Sequence, residues 1–255
     1  MLFISHVIAK QKLPSGKDWQ NLAIYGLLNI AVYLGFFIIG MQFVSAAIAS
    51  LFIATNPVFI SIISAICLKK PIRAITIISL LICTAGILVA AWPLFRSSFV
   101  TPLGLVIILV SMLSYSLASV FFAKQAWHGL HILTINGWQT FFGALFTLPF
   151  FLLFYKPDLN SINLEFTTSV LWLALPVSIG AVQLWMFLLK ENPVKASFWL
   201  FLCPISGILI AAAILKEPIS LYTAAGVALV LAGLYIIQRK KLQEIKTTTA
   251  AIAEV

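Results

Sequence analysis

Apolar residues fill this chain in long runs, separated by short stretches where Lys, Pro, Asp and Asn collect. A helix rising 1.5 Å per residue needs about 20 apolar residues to cross roughly 30 Å of hydrocarbon. Eight segments of that kind can be drawn, over residues 20–41, 44–68, 74–95, 102–124, 132–155, 168–189, 194–215 and 219–238, joined by short polar or proline-containing links. The alternating segments of roughly ten residues that mark a transmembrane β-barrel are absent from the pattern. The expected fold class is therefore an all-α integral membrane protein. Ahead of the first complete segment, residues 1–9 form a short apolar stub followed by Lys10, Lys12 and Pro14. A signal peptide would carry its positive charge before the apolar stretch, not after it.

The segments repeat one another. Pro57, Lys69, Pro71, Ile72, Thr76, Ala85 and Gly86 recur as Pro204, Lys216, Pro218, Ile219, Thr223, Ala232 and Gly233, each 147 positions later (204 − 57 = 147). Upstream, Phe37, Val44 and Ala46 match Phe187, Val194 and Ala196 at an offset of 150 (187 − 37 = 150). The chain divides into a first copy over residues 1–97, a second over 98–238 and a basic tail over 239–255. Two full segments, 102–124 and 132–155, precede the mate of residues 20–41 in the second copy. Shifting Thr101 back by the offset places its counterpart roughly 48 residues before Met1. The first copy is thus expected to lack one helix and most of a second, with the stub as the remnant of the latter. A start site set too far downstream accounts for this best; a shortened form, a decaying gene leaving an inactive or non-transporting remnant, or an assembly partner is the alternative.

Composition sharpens the class. Of the residues, 62% are hydrophobic and 9% charged, with a mean hydropathy of +1.09, whereas a soluble globule carries about 25% charged residues. The formal charge of +9 is spread over short loops rather than gathered with aromatics, which excludes a nucleic-acid surface. Cys67, Cys83 and Cys203 lie in apolar runs without CxxC or His-rich spacing and read as packing residues. No cofactor or metal is expected.

Charge placement sets orientation, because Lys and Arg are retained in cytoplasmic loops. One alternate set of loops holds 13 basic residues, including Lys10, Lys12, Lys69, Lys70, Arg73, Lys124, Lys190 and Arg239; the other holds 3, Arg96, Lys156 and Lys216. The C-terminus is expected in the cytoplasm, and the two copies are expected to run in opposite senses. Glu217, in the turn matching Lys69-Lys70-Pro71, offsets the charge of the copy that faces outward.

The segments Leu13-Pro14, Asp18-Trp19, Val44-Ser45-Ala46-Ala47, Asn56-Pro57, Leu68 to Pro71 and Gly86, with their later counterparts, resemble the EamA branch of the drug/metabolite transporter superfamily. The resemblance covers nearly the whole chain. It implies a ten-helix bundle of two inverted five-helix copies that exports or exchanges amino acids, nucleotide derivatives, other metabolites or drugs. On that pattern this chain holds the end of the second helix and helices three to ten. The implied partners are a small-molecule substrate and the bacterial inner-membrane bilayer, with a homodimer admitted and nucleic acid excluded.

Polar side chains inside apolar helices must find a protein partner or a wet cavity. Asn29 and Tyr33 lie one turn apart, and Gln183 is the mate of Tyr33 at offset 150 (183 − 33 = 150). Tyr115 and Trp199 add aromatic walls on residues 102–124 and 194–215. Asn56 either touches substrate or mends the helix break at Pro57. The expected substrate-binding set is Asn29, Tyr33, Asn56, Tyr115, Gln183 and Trp199, each also readable as a packing residue. Pro57 and Pro204 are expected to kink their helices and act as hinges. Trp19, Trp92, Trp127 and Trp172 read as interfacial belts, and Asn136 with Gln139 as hydrated or helix-pairing groups. No Asp, Glu, Lys or Arg lies at a predicted membrane centre, so exchange or downhill flow is expected rather than a carboxylate proton relay. An intramembrane enzyme is disfavoured because the buried helices offer no nucleophile with an acid or base in reach.

Overall fold

The computed structural model describes residues 1–2, 5–6, 10–44, 46–69, 72–92, 101–155, 163–206 and 221–236. Lys70, Pro71, Arg96, Lys156, Lys216, Glu217, Pro218 and the tail from Arg239 lie outside the described residues, as does the end of the expected segment 194–215. Helix dominates the described residues, and none of them forms a strand.

Helix α1 runs over Lys17–Gly40 and α4 over Ala74–Ala91. Helix α5 spans Pro102–Lys124, α6 Ile132–Phe154 and α7 Leu164–Glu191. Their starts are written locally. Thr101 accepts from the Gly104 N–H at 3.1 Å, with Pro102 in the first position where no N–H is needed. The His131 ring accepts from the Leu133 N–H at 3.2 Å, and Asn163 accepts from the Phe166 N–H at 2.8 Å. Asn192 does the same for Lys195 at 3.0 Å, opening α8, Pro193–Ser197, which continues into a 3₁₀ turn over Phe198–Phe201.

The expected helix over 44–68 is instead two helices, α2 (Ala46–Ile53) and α3 (Asn56–Leu68). Pro57 has no N–H to offer Ile53, so the ladder stops and restarts with Pro57 in the first turn of α3. Thr55 closes the gap by donating its hydroxyl to the Phe52 carbonyl at 2.6 Å. Pro57 therefore marks a break between helices rather than a kink within one. Pro204 is buried in the short helical stretch that follows the 3₁₀ turn. The last described helix, α9, is Leu221–Ile236.

Among the described residues, five helical segments are long and apolar enough to cross a membrane: α1, Leu51–Leu68, α5, α6 and α7. Helix α5 is the central one, with half of its most apolar window buried against 6% for α7. It packs antiparallel to α1, so that Gly104 abuts Phe43 and Val44 at one end while Ala118 and Phe122 join Leu22 and Tyr25 at the other. Helices α1 and α6 run parallel at close range: Gly26 faces the Gln139 carbonyl and Gly143 faces Ile30.

Helices α4 and α9 pack antiparallel through small residues. A side chain at Gly86 would sit 2.8 Å from the Gly226 carbonyl, and one at Gly233 would sit 3.1 Å from the Ser79 carbonyl. Between these contacts the Cys83 thiol donates to the Val230 carbonyl at 3.6 Å, across 147 residues of chain.

Trp127 corrects the expected interfacial belt. It is buried in the core with Tyr25 and Phe122, and its indole donates to the Phe122 carbonyl at 2.9 Å. Trp92 and Trp172 are exposed.

Candidate functional site

Two π-helical segments interrupt long helices, Leu27–Val32 in α1 and Leu173–Ala181 in α7. In a π turn the N–H reaches back five residues, as Tyr33 does to Leu28 and Val182 to Val177, which widens the helix and loosens its register. Pro176 explains the second, because a missing N–H displaces the ladder. In the first, a serine of α5 takes up a carbonyl of the widened turn: Ser114 donates to the Leu28 carbonyl at 2.8 Å, while Ser111 donates to the Tyr33 carbonyl at 2.8 Å. On α7, the Ser178 carbonyl accepts from Asn136 Nδ2 at 2.7 Å. Leu28 and Ser178 stand 150 residues apart (178 − 28 = 150), the offset at which Phe37 matches Phe187.

The aromatic group lies beside these segments. Tyr33 meets Tyr115 with ring centroids 4.6 Å apart, and Tyr115 stacks on Trp185 at 6.2 Å with 17° between planes. Such ring pairs are attractive beyond the area they bury. The Trp185 indole nitrogen is buried and has no hydrogen-bond partner among the described residues, an unsatisfied donor of the kind usually explained by a water or ligand. The Cys203 thiol, itself exposed, lies within electrostatic range of both phenols. Trp199 is one turn earlier in sequence and is 49% exposed.

The structure thus brings Tyr33 and Tyr115 together, with Cys203 near both. Gln183 is half-buried on the turn before Trp185 and makes no hydrogen bond among the described residues. Asn56 is buried and engaged on both sides: Ser116 donates to its Oδ1 at 3.0 Å, and its Nδ2 lies 3.3 Å from the Met112 sulfur. That pairing ties α3 to α5. Asn29 donates to Gln139 Oε1 at 3.0 Å, so α6 holds it. Gln139 and Asn136 are buried and pair helices.

Sequence reasoning passed over Trp185 and both π segments. Pro176, inside a long apolar run, was the visible signal for one of them. Among the described residues no group of three His, Cys, Asp or Glu side chains is placed to hold a metal ion.

The sequence model of the EamA-like transporter family matches residues 1–92 and 102–239. An uncharacterized transporter of Archaeoglobus fulgidus is 28% identical over 239 residues, covering 92% of this chain and 83% of that protein. Protein PecM of Dickeya dadantii is 27% identical over 258 residues, covering 96% and 84%. The uncharacterized transporter YoaV of Bacillus subtilis is 25% identical, covering 92% and 81%. One solved structure superposes with a TM-score of 0.70 at 19% identity, covering 91% of this chain and 81% of that one; the likeness is one of fold.

Proposed function

As a member of the EamA-like transporter family, to which the chain belongs, this integral membrane protein is a small-molecule transporter rather than an enzyme, and we propose that it works by alternating access between two inverted copies, residues 1–97 and 98–238. The observation that carries this reading is the contact of α4 with α9. Cys83 bonds to Val230, which is 147 residues away, the same offset that relates Pro57 to Pro204. The flanking contacts exchange in kind: Gly86 faces Gly226 while Gly233 faces Ser79, and 79 + 147 = 226 while 86 + 147 = 233. A contact that maps onto itself in this way is what a two-fold axis produces between antiparallel helices.

The proposed substrate site is walled by Tyr33, Tyr115 and Trp185, with Gln183 and Trp199 at its margin. Its chemistry is neutral and aromatic, which suits a small solute with a flat apolar part and few charges. Asn56 and Asn29 serve as structural ties to α5 and α6 in the state described. The break at Pro57 and the buried Pro204 act as joints for rocking. Without an Asp, Glu, Lys or Arg side chain in the described membrane centres, exchange or downhill movement is the proposed mode. The bacterial inner membrane with a cytoplasmic C-terminus is the proposed setting, from the 13 against 3 distribution of basic residues.

Reconstituted vesicles, screened for uptake and efflux against a panel of neutral and aromatic metabolites, test the reading. Tyr115→Ala should abolish saturable flux that the wild type shows, and Tyr33→Ala with Gln183→Ala should raise half-saturation. Wild-type flux in both variants, at matched protein levels, overturns the assigned site.

A further inference from the structure

A continuous chain of amides joins the two π segments. Asn29, inside Leu27–Val32, donates from Nδ2 to Gln139 Oε1 at 3.0 Å. Gln139 donates from Nε2 to Asn136 Oδ1 at 3.0 Å, and Asn136 donates from Nδ2 to the carbonyl of Ser178, inside Leu173–Ala181, at 2.7 Å. The direction of the chain is fixed from one end. A backbone carbonyl can only accept, so Asn136 must present its NH₂ to Ser178 and its oxygen to Gln139. Gln139 must then present its NH₂ to Asn136 and its oxygen to Asn29. Both central amides are buried, at 1% and 0% exposure, so a broken link leaves a desolvated amide without a partner. A π turn departs from the regular i→i−4 ladder and is frequent at functional sites in helices, and here each such turn is held by an end of the same wire.

We infer that Asn136 and Gln139 are positioning residues that couple the two π segments, so that α1 and α7 loosen or tighten together. The segment in α1 leads directly into Tyr33, and the one in α7 leads into Gln183 and Trp185. The coupling therefore sets both walls of the substrate site at once. The inference rests on the alternating-access reading for its purpose, and on the hydrogen bonds alone for its existence.

Amide hydrogen exchange on the full chain in lipid nanodiscs tests it without a substrate. Gln139→Met and Asn136→Leu remove the central links while keeping bulk. If the chain couples the joints, either variant raises exchange in both Leu27–Val32 and Leu173–Ala181 by about fivefold, the ratio one net hydrogen bond supports, and the double variant adds nothing further. Exchange in Leu221–Ile236 reports that the fold is kept. Should Gln139→Met fail to fold, Asn29→Ala cuts the wire at its half-buried end and is expected to loosen Leu173–Ala181, which Asn29 does not touch. The inference is overturned if each variant loosens only the segment it contacts, with the double variant summing the two, or if neither segment responds. Loss of the Tyr115 transport phenotype with coupled exchange intact would sink the site and leave the coupling standing.

Discussion

Two glycines of α1, nine positions apart, should respond to the same substitution with opposite signs. At Gly35 an added methyl group would enter open space, with nothing within 4 Å, whereas a methyl at Gly26 would meet the Gln139 carbonyl oxygen, lie 3.0 Å from the Gly143 nitrogen and 3.1 Å from Phe142 Cβ. Replacing a helical glycine by alanine restricts the unfolded chain and gains about 0.5–1 kcal/mol where the methyl is tolerated. At Gly26 the obstacle is backbone, which cannot rotate aside, so α6 must retreat by on the order of 1 Å to restore ordinary contact. Overpacking of that kind costs about 1–3 kcal/mol. Gly35→Ala should therefore stabilise by about 0.5–1 kcal/mol, and Gly26→Ala should destabilise by about 1–2 kcal/mol after its own helix gain is set against the strain. At roughly 2–4 °C per kcal/mol for a chain of this size, the two variants should unfold about 5 °C apart. Thermal unfolding in one detergent at a fixed scan rate, followed by tryptophan fluorescence, measures this. A Gly26→Ala protein as stable as Gly35→Ala would refute the close approach of α1 and α6 and, with it, the geometry that lets Asn29 reach Gln139.

Two further outcomes follow from single contacts. Asn56→Ala should cost about 1–3 kcal/mol by orphaning the buried Ser116 hydroxyl, and Asn56→Ala with Ser116→Ala should cost less than the sum of the single changes in a double-mutant cycle; strict additivity would free Asn56 for a role in substrate contact. A membrane-impermeant methanethiosulfonate reagent should modify the exposed Cys203 and spare the buried Cys83, with bulky adducts blocking flux; an unlabelled Cys203 would place that face against lipid.

Hydropathy was sufficient where a helix is a whole apolar run with its own cap. The expected segments 102–124 and 132–155 match α5 and α6 to within one residue, because Thr101-Pro102 and His131 mark their starts. It was blind to hydrogen-bond register, since a π turn and an α turn bury the same side chains, so Leu27–Val32 left no trace in the sequence. Hydrogen-bond partners were hidden wherever they are remote. Asn29 looked free for substrate because Gln139 is 110 positions away, and Trp127 looked interfacial because its core neighbours come from α1 and α5. Tyr33 and Tyr115 stood out singly as aromatic residues in apolar helices, whereas their ring contact at 4.6 Å joins positions 82 residues apart (115 − 33 = 82).

The meeting of Cys83 with Val230 also imposes a timetable on biogenesis. Synthesis at about 5–20 residues per second separates the two by roughly 7–30 s. Throughout that interval the small-residue face of α4 is uncovered, and Ser79, whose hydroxyl finds no partner among the described residues, has only lipid or the insertion machinery beside it. The nascent chain must therefore be sheltered, or avoid pairing with another copy of itself, until Leu221–Ile236 arrives.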